Sequence, residues 1–470
     1  MFKSAAAAAA FAMLAGSASA ATPKDTGEAA FRTLYKELVE TNTTNSAGSC
    51  TLAAERMAAR LKAAGFPDSD LVVFTPEGRP KDGGLVATFP GKDPKAKAIL
   101  LLAHIDVVEA KREDWTRDPF VMVEEDGYFY GRGVADDKAQ ATIWTDLLIR
   151  YRQEGHKPRR TLKVALTCGE EGGGQVNGAQ WLMKNKRELV DAGLALNEGG
   201  GGGFGPGGKR LINTVLVAEK APVTFTFEVT NPGGHSSRPR PDNAIYQLSN
   251  ALQKVAAYEF PVQFNDGNRG FFQRMSKVVG GETGAAMAAI VANPNDEAAN
   301  ALLSRDVNYH AYLRTTCVAT MLEAGHAQNA LPQRARATVN CRILPGVPDA
   351  EVKAQLEKVI ADPGVKITAS PRFFPEAKPP VLTPKILGPI ETVTQQMWPG
   401  VAVVPVMEAG ATDSSFLNAA GIPSYGVSGL FADSDGNGVH GLNERIRVQS
   451  VMESREFLYR LVKLYGDQKD

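Results

Sequence analysis

The segment Ile99-Leu100-Leu101-Leu102-Ala103 is apolar at every position and follows the turn-forming residues Gly91, Asp93 and Pro94. A strand with one wet face alternates apolar and polar residues, so an unbroken apolar run of this length needs cover on both faces. Helices on both sides of a sheet supply that cover, which directs the chain toward an α/β fold with a mostly parallel sheet. Neighbouring patterns agree. Residues 29–39 and 50–64 read as amphipathic helices, and 71–74 and 84–89 as short strands. A long helix over 138–154 precedes a second buried strand at 161–167. A helix over 175–186 and a strand at 192–196 follow.

Near Glu219 the periodicity changes. Residues 223–230, VTFTFEVT, alternate with period two, as a half-buried strand does. A helix over 243–258, alternating strands at 312–322 and 334–343, a helix over 349–360 and a strand at 365–370 complete a β-α-β-β-α-β order. That is a ferredoxin-like arrangement. Residues 262–310, rich in Gly, Ala and Asn, read as an extra, mostly helical insertion within it. From Pro379 the α/β texture returns, with a helix over 386–397, a strand at 402–405 and a final helix over 448–465. The expected division is therefore a larger domain, 21–220 and 375–470, interrupted by a smaller one at 221–374. The glycine-rich stretches 199–203 and 205–208 lack the G-K-[ST] ending of a phosphate loop and are expected to be loops. Gly426-Val427-Ser428-Gly429 has the wrong spacing for a nucleophile elbow.

Composition narrows the function. The 470 residues hold 52 Lys and Arg against 52 Asp and Glu, so no net charge draws the chain to nucleic acid or an anionic membrane. With 43% hydrophobic and 22% charged residues it is too apolar to be disordered. At the N-terminus, Lys3, an apolar run from Ala5 to Ala15 and the small residues to Ala21 match a signal peptide at 1–20, cut after Ala20. An alanine-rich first helix is the alternative. No later stretch is long and apolar enough to span a bilayer, so an exported, soluble protein is expected, periplasmic or secreted. Four cysteines in no C-x-x-C pair argue against a Cys-bound structural zinc. Cys317 and Cys341 lie in two strand-like runs, either facing each other across a hairpin or as buried thiols.

Chemistry gathers where apolar strands end. His104 and Asp106 follow the first buried run, and strand periodicity puts both on one face. Asp136 and Asp137 stand at the start of a helix, where an acid also serves as a plain cap. Glu170 and Glu171 follow the strand at 161–167, and Glu198 the strand at 192–196. His440 lies in the glycine-rich segment Gly438-Val439-His440-Gly441. Taken singly, each has a structural explanation. Together, three successive strands deliver acids or a His at their carboxyl ends, where open α/β sheets bind ligands. Two of only six histidines join them. Two imidazoles and three carboxylates suit a pair of borderline divalent ions, zinc first, with cobalt and manganese able to use the same ligands.

On these motifs the chain resembles the M20 family of metallopeptidases, which includes glutamate carboxypeptidases, aminoacylases and succinyl-diaminopimelate desuccinylase. The resemblance covers the expected mature chain and treats the smaller domain as a lid. It implies that His104 and Glu198 serve one ion, Glu171 and His440 the other, and that Asp136 bridges them. It further implies that Asp106 is the acid behind His104, that Glu170 is the general base, and that the bond after Asp136 is cis. The segment Asn231-Pro232-Gly233-Gly234-His235 matches the family's glycine-His element, which reaches a neighbouring subunit's site in dimers. His235 is thereby a candidate oxyanion donor, against the plainer option of a surface turn histidine. Asn329 in N-A-L-P and the strand-end Arg342 match substrate-binding positions, although Arg342 equally suits a structural ion pair. Gly410 and Thr412 in Gly410-Ala411-Thr412-Asp413 match a loop beside the substrate. Ala139-Gln140 after Lys138 departs from the glycine common in the family and removes no ligand.

The implied activity is hydrolysis, by metal-activated water, of the amide bond next to a C-terminal amino acid, in peptides or N-acyl amino acids. Glu at position 198 resembles the carboxypeptidase and aminoacylase branches. Val217-Ala218-Glu219-Lys220 and the long insertion resemble the yeast carboxypeptidase S and N-acyl-amino-acid hydrolase group. A dipeptidase or aminopeptidase that needs a free amine is the alternative enzyme. A non-catalytic metal- or peptide-binding protein is the alternative from another class, and it predicts a missing base or ligand. A homodimer through the lid is the expected assembly.

Overall fold

The computed structural model describes residues 27–172 and 174–469. The expected leader lies outside them. The centre of the large sheet is three adjacent parallel strands, Leu162–Thr167, Ile99–His104 and Leu194–Asn197, with Ser424–Gly426 parallel beyond the last. Gly84–Phe89 and Leu71–Phe74 extend it antiparallel on one side. Arg210–Glu219, Gly201–Phe204, Phe431–Ala432 and Ala402–Glu408 extend it on the other.

The apolar run behaves as its composition demands. Every residue of Ile99–His104 is buried. Ile99, Leu101 and Ala103 pack with helices Glu28–Glu40, Cys50–Ala63, Lys138–Gln153 and Val448–Asp467. Leu100 and Leu102 point the other way, into a core with Leu182, Phe416 and Leu417. Period two thus divides one strand between two cores.

The second sheet has the spatial order Thr316–Ala324, Arg334–Ile343, Ala221–Thr230 and Lys366–Ala369, antiparallel throughout. Helices Ala244–Ala257 and Asp349–Ile360 cover one face, where Phe225, Phe227, Val339 and Ile343 meet Leu248 and Leu356. This is the expected β-α-β-β-α-β lid. Cys317 sits opposite Cys341 in register, and the two form a disulfide. A second disulfide, Cys50–Cys168, ties helix Cys50–Ala63 to the end of strand Leu162–Thr167.

Three local features differ from expectation. Residues 312–315 do not begin a strand. Helix Val307–Leu313 runs through there, and Arg314 is buried against Glu259 and Asn300. Gly201–Phe204 is a strand rather than a loop, because backbone without side chains can pass where a Cβ cannot. A Cβ on Gly202 would lie 2.3 Å from the Phe431 ring. The helices of the insertion, beginning with Asp266–Val279, pack on the large sheet and not on the lid. Phe272, Met287, Ile290 and Leu313 share a core with Leu216, Val404 and Val406. Strand Ala402–Glu408 has a sheet neighbour on one side only, and these helices cover its apolar face. Among the described residues, no helix is long and apolar enough to cross a membrane.

Candidate metal centre

Because the three central strands are parallel and adjacent, their carboxyl ends form one rim. His104 ends its strand, Glu170 and Glu171 follow Thr167 after a turn at Gly169, and Glu198 directly follows Asn197. Asp136 comes from the turn before helix Lys138–Gln153, and His440 from the loop before strand Arg445–Arg447. His104 Nε2 lies 3.0 Å from Asp136 Oδ1 and 3.4 Å from Glu198 Oε2. His440 Nε2 lies 3.1 Å from Asp136 Oδ2 and 2.9 Å from Glu171. Asp136 therefore offers one oxygen to each imidazole, the posture of a bridging carboxylate. All five expected ligands converge, and the Asp136–Asp137 peptide is cis.

The donor set fits divalent cations. His104 Nδ1 lies 3.1 Å from the Asp106 carbonyl oxygen, a contact that places its proton on Nδ1 and turns the Nε2 lone pair toward Asp136 and Glu198. Lone pairs facing one another need a positive charge between them. Two further atoms, Glu198 Oε1 and Asp137 Oδ2, are buried without any hydrogen-bond partner. Without a cation, burial alone would push the Asp136 carboxyl up, but the imidazoles of His104 and His440, once doubly protonated, donate to it and hold it below the usual carboxylate range. Burial and the Glu198 charge push Glu170 and Asp137 well above theirs. Acids crowded this closely stay ionised together only beside cations.

The carboxylate of Asp106 acts on the loop more than on His104. It accepts the peptide N–H of Glu171 at 3.1 Å and of Glu170 at 3.4 Å, while its Oδ1 is 3.6 Å from His104 Nδ1. Asp106 thus fixes the loop that carries Glu170 and Glu171. Asp413, which sequence reasoning did not single out, is buried and accepts from Thr167 and Asn177. Burial pushes it up to about 7.

A cavity of about 710 Å³ opens on this rim, lined by Asp136, Glu170, Glu171, Glu198 and His440 together with Gly410 and Thr412. A Cβ on Gly410 would meet nothing within 4 Å, so space for a ligand lies in front of it. The Thr412 hydroxyl donates to Glu219 and accepts from Asn197 Nδ2 at 3.1 Å. The lid residues lie elsewhere. Arg342 Nη1 donates to the Ala409 carbonyl at 3.1 Å, beside Gly410, yet the side chain is not in the cavity wall. His235 and Asn329 share a separate exposed patch. There Gly234–His235 pairs with Ala330–Leu331, Ser236 N donates to the Asn329 carbonyl, and the Ser237 hydroxyl lies 2.8 Å from His235 Nδ1.

Comparison with known proteins follows the same line. The sequence profile of Peptidase family M20/M25/M40 matches residues 100–464. The human N-fatty-acyl-amino acid synthase/hydrolase PM20D1 is 30% identical over 385 residues, covering 80% of this chain and 76% of its own. The probable carboxypeptidase S-like 2 of Dictyostelium discoideum is 29% identical over 388 residues, covering 81% and 74%. The M20 family metallo-carboxypeptidase Sso-CP2 from Sulfolobus solfataricus shares the fold with a TM-score of 0.66 at 18% identity, over 93% of this chain and 99% of that one. The chain belongs to peptidase family M20/M25/M40 and is a hydrolase of amide bonds.

Proposed function

We propose that the protein is an exported dinuclear zinc hydrolase that cleaves the amide bond next to a C-terminal amino acid, in peptides or N-acyl amino acids. The observation that carries this reading is the posture of Asp136, one oxygen toward each of two imidazoles, with Glu170 on the same cavity wall. His104 and Glu198 would hold one ion, Glu171 and His440 the other, and Asp136 both. Zinc there supplies a Lewis acid for the substrate carbonyl and lowers the pKa of water toward neutrality. Glu170, on the cavity wall beside Glu171, takes a proton from the attacking water and passes it to the leaving amine. Arg342 suits a substrate carboxylate, because a planar guanidinium offers paired N–H donors and this one already reaches the loop beside Gly410.

The names of the relatives favour the same substrate class, since they speak of an N-fatty-acyl-amino acid hydrolase and a carboxypeptidase. Assembly as a dimer is supported by the outer lid strand, Thr316–Ala324. It pairs on one side only and exposes Val318, Met321 and Leu322. His235 is exposed and lies outside its own chain's cavity lining, which favours service in a partner's site, as an oxyanion donor. Two disulfides and the leader pattern favour an oxidising compartment.

Hydrolysis by the zinc-loaded mature chain, with and without chelator, tests this on two panels. One holds N-blocked dipeptides and N-acyl amino acids with free carboxylates; the other holds free-amine dipeptide amides. Chelator-sensitive cleavage of the first alone is expected. Cleavage of the second alone would move the enzyme to the aminopeptidase side.

A further inference from the structure

We propose that Glu444 and Arg132 form a positioning pair that holds the ligands Asp136 and His440 as a single unit; this rests on the dinuclear reading above. Glu444 is fully buried and Arg132 is 2% exposed. One oxygen of Glu444, Oε2, accepts from Arg132 Nη1 at 2.7 Å and from the peptide N–H of Gly133 at 3.0 Å. The other, Oε1, accepts from the N–H of Ala135 at 2.8 Å and of Asp136 at 3.2 Å. The turn before Asp136 is therefore wrapped around one carboxylate.

The guanidinium closes the link to the second ligand. Arg132 Nη2 donates to the carbonyl of Gly441, the residue after His440, at 2.8 Å. The Gly131 N–H donates to the Glu444 carbonyl at 3.1 Å, and the ring of Trp115 lies beneath the guanidinium at 5.0 Å. Two loops remote in sequence thus meet at one ion pair, and each carries a ligand.

A buried ion pair is weak evidence for stability, since apolar residues of like volume often serve as well. The distinctive feature here is where the bonds go. Three peptide N–H groups in a turn outside helix and sheet have a carboxylate as their partner, and one belongs to Asp136 itself. A bridging carboxylate has to reach two ions together, so a small displacement of its backbone weakens both contacts. Glutamine in place of Glu444 brings an amide NH2 against N–H donors and releases part of the turn.

Zinc affinity tests the pair directly, by equilibrium dialysis against a zinc buffer with elemental analysis of the full-length mature chain. Glu444→Gln is expected to weaken binding of at least one ion by roughly 10–100-fold, the usual effect of losing a group that orients metal ligands. KM should change little, and excess zinc should restore part of kcat. Arg132→Lys keeps the charge without the fork and is expected to show a smaller loss; it also serves if Glu444→Gln does not fold. Arg455→Met breaks another buried pair, Arg455–Asp146, which touches no ligand. It should lower the melting temperature and leave zinc affinity unchanged. Two ions bound by the wild type and wild-type affinity in both Glu444→Gln and Arg132→Lys would overturn the pair's role alone. Fewer than two ions in the wild type would instead overturn the dinuclear reading beneath it.

Discussion

His104 and His235 carry the two halves of the proposed chemistry, and the molecule treats them in opposite ways. His104 is 1% exposed, ends a strand buried on both faces, and has a ring nitrogen fixed by the Asp106 carbonyl. His235 is exposed on a two-residue ladder and is oriented by Ser237, its near neighbour in the chain. On the rim of the large sheet the five expected ligands face one another within one chain. On the lid, Arg342 reaches only the Ala409 carbonyl, and His235 stands outside the cavity lining. Preorganisation belongs to the rim, where apolar packing on two faces fixes the strand ends. On the reading proposed above, His235 serves the site of a second copy.

The largest expected effect lies on the rim. Glu170→Gln should lower kcat by roughly 10²–10⁴-fold, the usual contribution of a general base, with zinc content unchanged. A variant that turns over normally would remove Glu170 from the mechanism. His235→Ala should cost roughly 10²–10³-fold if it donates to the oxyanion. Mixing the two inactive variants asks which chain supplies the histidine. In a mixed dimer, one site combines an intact Glu170 with the partner's intact histidine, so activity should return on mixing. Failure to recover any would place the histidine's action within its own chain, or outside the site. Val318→Lys with Met321→Lys on the outer strand should yield a monomer by light scattering, with turnover reduced to the His235→Ala level. A fully active monomer would break the contrast, because the lid would then need no partner.

The legibility of the molecule follows the same division. Strands Leu71–Phe74, Gly84–Phe89 and Arg334–Ile343 and helix Asp349–Ile360 coincide with their side-chain patterns, because burial on one or two faces writes itself into period. The convergence of His104, Glu171 and Glu198 was legible because parallel strands bring their ends to one rim. Gly201–Phe204 left no pattern to read, since its pairing rests on the absence of side chains. Cys50 and Cys168 are separated by 118 residues, and nothing in their spacing joins them. Glu444 was unreadable for another reason. Its partners are peptide N–H groups of a distant turn, and backbone donors carry no residue signature. A mostly helical insertion likewise does not declare which sheet it covers.

Glu219 sits where the two regions join and provides the smallest test of the contrast. It ends strand Arg210–Glu219 of the large sheet, one residue before the lid strand Ala221–Thr230. It is part-buried, as most of the rim acids are, but its partners are the neutral hydroxyls of Thr412 and Ser415. Burial therefore outweighs those hydrogen bonds and pushes its pKa from 4.5 up to about 7. Below pH 4.5 both folded and unfolded chains hold this proton, and it makes no difference to stability. Between 4.5 and 7 the unfolded chain releases it first and binds fewer protons, so stability falls as pH rises, by up to about 1.4 kcal/mol per unit. Above 7 the loss is complete. Glu219→Gln removes this term while Ser415 can accept from the new amide. The variant should gain about 1–3 kcal/mol over wild type between pH 4.5 and 8, read from urea unfolding at both values. Taking the difference between the two proteins cancels the titration of groups they share. An equal difference at the two pH values would mean that Glu219 ionises without cost, and the junction would then be as well compensated as a surface.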